Sequence, residues 1–403
     1  MKNLFILFIC ITLTALLIAC LPAAELSDLA PDDDAAATPA ITFDGKIAII
    51  SGAQDNEEDG SFNSASLIAA TYGADKVIHL IWPAEQELMI NTVSELSADP
   101  QVKAVIISSA VPGTVAALDY LRESRPDLLI ICSTMPQDSA SDMARLADLI
   151  LSSDDLAMGV SLVRQAQKMG ARTVVHYSLP ENISQPLIHN RRNLIKQECQ
   201  NLGLEFVEAI TIDPLTVPSD SREDVLNQFF LEAVKEIVQK YGQNTAVFCV
   251  DCASQIPLIK AIIENGALYV QPCHQSHGLD LLLQALNISG NSAATAAGDN
   301  RARISTALSA KNMQNRITAW PMAEDPLFDA AAAAYAIKWI NGEVSSAVID
   351  TAVLRALLQE YAGVEVYITP LADDGAYSYY FTDEPSGEIL ANFLLISMDY
   401  LTF

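Results

Sequence analysis

Short, continuously apolar segments alternate with amphipathic segments along most of this chain. Five apolar segments form a first series and four form a second. Runs of this length that are rich in Val and Ile are typical of strands buried on both faces of a parallel sheet. The predicted strands are KIAII (46–50), VIHLIW (77–82), KAVIIS (103–108), LLIIC (128–132), DLILS (148–152), TVVHYS (173–178), EFVEAITI (205–212), TAVFCV (245–250) and ALYVQP (267–272).

The segments between these strands have helical periodicity. MINTVSELSAD (89–99) follows the second strand, TVAALDYLRE (114–123) follows the third, and QPLIHNRRNLIKQECQNLG (185–203) ends at Gly203, a suitable C-cap. Alternation of strands and helices indicates right-handed βαβ units and a doubly wound sheet. We therefore predict an α/β fold with two doubly wound, Rossmann-like lobes, one for each series.

The first twenty residues, MKNLFILFICITLTALLIAC, read as an export signal. A single basic residue, Lys2, precedes a long apolar run that is too short for a comfortable bilayer span. The run ends in LIAC (17–20), which resembles the lipobox of bacterial lipoproteins, so Cys20 is the predicted lipidation site. Residues 21–43 are rich in Ala, Asp and Pro and read as a disordered acidic tether. We expect a lipoprotein anchored on the outer face of the cell membrane.

Charge and loop composition exclude several classes of protein. The chain has 23 basic and 50 acidic residues, a net charge of −27, which argues against nucleic acid as a partner. SGAQDNEEDGSFNSAS (51–66), after the first strand, has no phosphate-binding glycine pattern, and its acidic residues would repel a phosphate. No cofactor and no enzymatic activity are predicted. About 360 residues after the tether favour two lobes over a single core.

Several long stretches resemble a family of uncharacterised bacterial lipoproteins within the type I periplasmic solute-binding protein superfamily. These stretches are 110–131, 168–209, 246–278 and RITAWPM (316–322), and the resemblance covers about 44–345. It implies two lobes joined by a hinge, with a ligand closed between them. The expected division is an N-terminal lobe over 44–153 completed by part of 318–403, a C-terminal lobe over 154–317, and an extra segment over 350–403. In that segment VYITP (366–370) and YSYYFTDE (377–384) read as strands of an added hairpin.

Ligands of open parallel sheets bind beyond the carboxyl ends of the strands. That rule predicts ligand contacts among the residues that follow each strand, although any one of them could instead stabilise a loop. The candidates are Ser51, Gly52, Gln54, Trp82, Ser108, Ser109, Pro112, Thr134, Met135, His176, Tyr177, Asp213, Asp251 and His274.

Three places among these candidates have specific alternatives. Trp82 could offer a stacking surface or be a core residue. His176 and Tyr177 are adjacent in a strand and point to opposite faces, so only one should face the cleft. Asp251 could accept hydrogen bonds from a ligand or cap the following helix.

Cysteine and histidine residues gather near two strand ends in FCVDCASQ (248–255) and QPCHQSH (271–277). Cys252, Cys273, His274 and His277 could form a tetrahedral metal site or contain a redox-active thiol pair. Cys249, inside a strand, should point into a core, and Cys132 and Cys199 also lie in apolar patterns that suggest burial. Of seven cysteines, Cys10 is lost with the signal and Cys20 is acylated, so five thiols remain. Free structural thiols are the preferred interpretation, and a Cys252–Cys273 disulfide is the next.

These observations favour an extracytoplasmic solute receptor. It would capture a small molecule between its lobes and deliver it to a membrane transporter or report it to a sensor. The alternative is a metal-binding or redox lipoprotein built on the cysteines and histidines above. A ligand-sensing regulator is disfavoured by the export signal.

Overall fold

The computed structural model describes residues 42–54, 60–134, 139–289, 297–344, 349–372 and 387–403. The predicted signal, Cys20 and most of the tether lie outside these ranges, as do Met135 and YSYYFTDE. Residues 43–403 form one compact unit. Within the described residues, no helix combines the length and apolar character that a membrane crossing requires.

Strands and helices alternate as the sequence predicts, and most strands begin and end within two residues of the predicted limits. The strands are β1 (Lys46–Ser51), β2 (Val77–Ile81), β3 (Val102–Ile107), β4 (Leu129–Cys132), β5 (Leu149–Ser153), β6 (Thr173–Ser178), β7 (Glu205–Ile210), β8 (Thr245–Cys249), β9 (Thr318–Ala319), β10 (Val366–Ala372), β11 (Ile389–Met398) and β12 (Leu401–Thr402). The helices are α1 (Ser61–Tyr72), α2 (Met89–Ala98), α3 (Thr114–Ser124), α4 (Ala140–Leu146), α5 (Ala157–Lys168), α6 (Pro180–Ser184), α7 (Pro186–Leu202), α8 (Arg222–Tyr241), α9 (Gln255–Asn265), α10 (Asp280–Ala285), α11 (Ala297–Ala310), α12 (Glu324–Ile340) and α13 (Thr351–Ala362).

The N-terminal lobe is built on a seven-stranded sheet in the order β10-β11-β5-β4-β3-β1-β2. Strands β1 to β5 are parallel, and β11 joins β5 in parallel, whereas β10 pairs with β11 antiparallel. Separate apolar clusters cover the two faces of this sheet, one involving α1, α12 and α13 and the other α2, α3 and α4. The segment after residue 350 therefore supplies one helix and a hairpin to this lobe.

The C-terminal lobe has a parallel sheet in the order β7-β6-β8. The predicted strand at 267–272 extends it only through single bridges, from Leu268 to Ala246 and from Tyr269 to Ile317. Pro272 contributes no backbone N–H, which limits the ladder there. Helices α5 and α7 cover one face of the sheet, and α8 and α9 cover the other. The fold class is therefore α/β with two doubly wound lobes, as predicted.

Three segments connect the lobes: β5 to α5, β9 to α12, and β11 to β12. Two polar contacts bind the last of these to the C-terminal lobe, because the Tyr400 hydroxyl lies 2.9 Å from Ser161 Oγ and donates a hydrogen bond to Gln271. Crossing segments of this kind can act as a hinge between two lobes.

Candidate functional site

A cavity of about 260 Å³ lies between the lobes where strands of both sheets end. The N-terminal lobe contributes the end of β5 and the start of α12, and the C-terminal lobe contributes α7 and the segments after β8 and Tyr269. Ligand sites in open α/β sheets occupy this position. The lining residues are Ser152, Ser153, Asp155, Gln185, Leu187, Ile188, Arg191, Val250, Cys273, His274, Ser276 and Glu324.

Two larger depressions lie elsewhere on the described surface. One, of about 390 Å³, includes Met169 and Tyr400, and the other, of about 410 Å³, includes Arg222 and Lys260. The first lies on the flank of α5 beside the last crossing segment, and the second lies against α8 and α9. Neither is placed between strand ends of both lobes, so the inter-lobe cavity is the better candidate for a ligand.

Arg191 is the main cationic group of the cavity wall and is only 4% exposed. Its Nη1 contacts Met158 Sδ at 3.9 Å, and its guanidinium lies 5.9 Å from the centre of the Phe248 ring. Its Nε has no hydrogen-bond partner, and among the described residues no carboxylate oxygen lies within 4.0 Å of it. Burial of a charge without a counter-charge is costly, so an anion beside this guanidinium would stabilise it.

Close packing of α5 against α7 holds Arg191 in place. A Cβ at Gly159 would lie 2.8 Å from the Arg191 carbonyl oxygen and 3.2 Å from its Cγ. The neighbouring His176 ring is buried, and burial together with the charges of Arg191 and Arg192 lowers the pKa of His176 to about 3. The imidazole is therefore neutral at physiological pH and adds no second charge beside Arg191.

Glu324 connects the two lobes across the cavity. One carboxylate oxygen accepts a hydrogen bond from Ser276 Oγ of the C-terminal lobe at 2.6 Å, and the other accepts one from Ser153 of the N-terminal lobe. The Glu324 N–H also donates to the Gln275 carbonyl at 3.0 Å. Glu324 therefore joins Ser153 of the N-terminal lobe to Ser276 of the C-terminal lobe.

Among the predicted contact residues, the structure places His274 on the cavity wall. Gln54 and Pro112 are exposed, and Thr134 is half-buried. Gly52 is buried, and its N–H donates to Ser61 Oγ at 3.0 Å. None of these four lines the cavity defined by the described residues.

Several other predicted contacts have structural roles in the N-terminal lobe. Ser51 Oγ lies 2.8 Å from His79 Nε2. Ser108 Oγ donates to the fully buried Asp329 at 2.6 Å, and Ser133 donates to the other oxygen of that carboxylate. Ser108 therefore joins the end of β3 to α12 instead of facing the cavity.

The structure corrects the idea that Trp82 offers a stacking surface. Trp82 is 5% exposed and packs in the core beneath α2 and α3. Its indole N–H donates to the carbonyl oxygen of Ser109 at 2.7 Å, which satisfies the one polar group of the side chain. Trp82 is therefore a core residue.

Replacing Trp82 with Phe should lower the free energy of unfolding by about 1–3 kcal/mol, because a buried carbonyl loses its donor. Binding of any solute in the cavity should stay within about twofold. Urea unfolding and calorimetric titration measure the two effects, with Trp339→Phe at a half-buried position as the matched control. Lost binding with unchanged stability would restore the stacking interpretation.

The remaining predicted contacts lie in the C-terminal lobe. His176 and Tyr177 point to opposite faces of β6, as predicted, but both are buried against aromatic rings. Asp213 caps a 3₁₀ turn (Pro214–Thr216) by accepting from the Leu215 N–H at 2.9 Å. Asp251 accepts from the Ser254 N–H at 2.8 Å and so orders the turn before α9. Asp251 therefore has a structural role in this turn, although the N-cap residue of α9 is Ser254.

The second group of interest consists of Cys252, Cys273, His274 and His277, which we call the soft-donor cluster. One ligand atom from each residue lies within 4.8 Å of all the others. Cys252 Sγ is 3.0 Å from Cys273 Sγ and 2.9 Å from His274 Nε2, and the two imidazole rings stack with centroids 4.9 Å apart. By contrast, Cys132, Cys199 and Cys249 are buried in apolar cores, as predicted.

Interactions among the residues of the soft-donor cluster shift their pKa values in different directions. The hydrogen bond from Cys273 lowers the pKa of the exposed Cys252 to about 3, with His274 and His277 adding to the effect. Burial, together with that same hydrogen bond, raises the pKa of Cys273. Burial by itself would lower the pKa of His277, but Asp280 and Cys252 outweigh it and raise that pKa to about 9. These shifts favour ionisation of Cys252 over ionisation of Cys273.

Sequence reasoning missed most of the cavity wall, and Arg191 is the instructive case. Leu187, Arg191, Ile195 and Cys199 recur every four residues and share the buried face of α7. A charged residue in an otherwise apolar stripe is a signal that could have been found. Asp155, Gln185 and Glu324 offered no such signal, because only the crossing of the lobes brings them to the cavity.

Comparison with known proteins finds relatives in sequence and solved structures with a similar fold. Two uncharacterised proteins from Treponema pallidum (strain Nichols) are similar in sequence. One is 33% identical over 175 residues, which are 43% of this chain and 79% of that protein. The other is 28% identical over 173 residues, which are 39% of this chain and 78% of that protein.

A crystal structure of a candidate transcriptional regulator from Clostridium difficile 630 superimposes with a TM-score of 0.76 at 21% identity. The match covers 90% of this chain and all of that one. A sugar ABC transporter from Actinomyces odontolyticus matches with a TM-score of 0.46 at 10% identity, over 74% and 84% of the two chains. The first match supports the α/β fold described above.

A family model described as "Protein of unknown function (DUF3798)" matches residues 45–318, which include β1 to β8, Arg191 and the soft-donor cluster. Because this match covers more than half of the chain, the chain belongs to that family.

Proposed function

We propose that this protein is a lipid-anchored extracytoplasmic receptor that closes its two lobes around a small polar solute. The observation that carries the proposal is Arg191, a buried guanidinium in the wall of the inter-lobe cavity whose counter-charge is absent among the described residues. A guanidinium recognises carboxylates through paired hydrogen bonds. The solute therefore carries a carboxylate or a comparable anionic group.

The other lining residues suggest the rest of the solute. Asp155 and Glu324 contribute carboxylates to the cavity wall, and Ser152 and Gln185 add polar side chains. A guanidinium and carboxylates in one cavity suit a molecule with an anionic end and a hydrogen-bond-donating or cationic end. A volume of about 260 Å³ favours a solute smaller than a typical drug-sized ligand.

The anchor and the partner complete the proposal. The LIAC sequence after an apolar run supports attachment at Cys20 and a position on the outer face of the membrane. Closure of two lobes is a signal that a membrane transporter or a sensor can detect. Binding and closure need no catalytic group.

Native mass spectrometry tests this function directly. The full chain is purified in detergent without denaturation, and we expect an additional small-molecule mass that is lost on unfolding. Small-angle scattering should then show a smaller radius of gyration when the identified solute is returned to the stripped protein. A chain that carries no solute, and whose radius does not respond to a panel of small carboxylates, would contradict the proposal.

A further inference from the structure

We propose that Cys252, Cys273, His274 and His277 bind one Zn²⁺ ion in a closed tetrahedral site within the C-terminal lobe. The proposal is independent of the solute function. It begins from four soft donors, two sulfurs and two imidazoles, whose ligand atoms converge within 4.8 Å of one another. A Cys₂His₂ donor set with tetrahedral geometry is typical of structural zinc.

The spacing of the donors fits the size of the ion. Bond lengths of about 2.3 Å to sulfur and 2.0–2.1 Å to nitrogen place tetrahedral ligand atoms roughly 3.3–3.8 Å apart. The closest observed separations, 3.0 Å between the two sulfurs and 2.9 Å between Cys252 Sγ and His274 Nε2, need only small outward movements. Cys252 lies at the surface, which gives the ion an entry route.

Groups around the donors orient the imidazoles. His277 Nδ1 faces Asp280 Oδ2 at 3.7 Å, which leaves Nε2 directed at the cluster. That Nε2 is buried and has no hydrogen-bond partner. A carboxylate behind a histidine is the usual support for a metal ligand. A Cys252–Cys273 disulfide would use only the two sulfurs and would leave this nitrogen unsatisfied.

The position of the cluster gives the ion a structural role. It would fasten the segment 273–277 to Cys252, in the turn that leads into α9. The same segment supplies His274 to the cavity wall and Ser276 to Glu324 across the lobes. Zinc would therefore fix the part of the C-terminal lobe that meets the N-terminal lobe.

The first test is metal content. The full chain is expressed in zinc-supplemented medium and purified in detergent without chelator or reductant, and elemental analysis should give about one zinc per chain. Cys252→Ser and Cys273→Ser should each lower the affinity for Zn²⁺ at least 100-fold in competition with a chromophoric chelator. Cys199→Ser is the matched control, because Cys199 is buried in a separate apolar core and should keep the metal.

The second test remains informative if a cysteine variant fails to fold. Co²⁺ added to the zinc-free protein should give the strong visible bands of a tetrahedral site together with thiolate charge-transfer absorption. His277→Gln should keep the charge-transfer bands, because both thiolates remain, while binding Co²⁺ more weakly. A metal-free protein lighter by two hydrogens, or octahedral Co²⁺ spectra without thiolate bands, would overturn the proposal.

Discussion

Replacing Arg191 with Met should weaken solute binding roughly 30- to 4,000-fold, because removing one partner of a buried charged pair costs about 2–5 kcal/mol. The same substitution should not lower the free energy of unfolding of the solute-free protein. In the solute-free protein the guanidinium is buried without a carboxylate within 4.0 Å among the described residues, so its desolvation is uncompensated. Met retains most of the volume, and the free energy of unfolding should stay the same or rise.

The measurement uses the solute recovered by native mass spectrometry, titrated calorimetrically into both proteins, with urea unfolding in its absence. Arg145→Met is the control, because Arg145 is 60% exposed and its partners Asp119 and Asp142 are each 51% exposed. It should change neither quantity appreciably. If Arg191→Met destabilised the protein and left affinity intact, Arg191 would be a structural residue and the proposed solute class would be wrong.

Truncating Phe393 to Ala should lower the free energy of unfolding by about 3–5 kcal/mol. Phe393 lies in β11, is fully buried, and pairs in register with Ile150 of β5. Removal of its ring opens a cavity in the centre of the N-terminal lobe. The large cost is expected because β11 is an interior strand of the sheet and not an appendage.

Ile389 provides a control within the same strand. It is 65% exposed, so Ile389→Ala should change the free energy of unfolding by less than about 0.5 kcal/mol. Urea unfolding of the two variants side by side gives the comparison. Equal effects at both positions would mean that β11 is not part of the core, and would contradict the order of the seven-stranded sheet.

The sequence by itself determined the fold class. Runs such as IAII (47–50) and AVII (104–107) are apolar at every position, a pattern that suits a strand covered on both faces. The same local logic correctly placed α7 and its end at Gly203, whose φ of +73° is a conformation that glycine adopts readily. It also placed Cys132, Cys199 and Cys249 in cores, because their neighbours are apolar at matching positions.

The rule that ligands lie beyond strand ends selected only one residue, His274, that lines the inter-lobe cavity. It also chose Trp82, Ser108 and Asp251, whose hydrogen bonds the structure assigns to the Ser109 carbonyl, to Asp329 and to the Ser254 N–H. A polar residue at a strand end can satisfy its own lobe or face a ligand. Local sequence does not distinguish the two, because both outcomes need the same kinds of side chain.

The tertiary structure decided the remaining questions. Arg191 on α7 and Glu324 on α12 are separated by 133 residues, and they share one cavity only because three segments cross between the lobes. The sequence predicts that Cys252 lies near Cys273 but does not decide whether they pair. In the structure, the turn before α9 directs Cys252 toward two histidines. Burial patterns are local and can be read along the chain, whereas convergence of distant side chains depends on how separately folded elements pack.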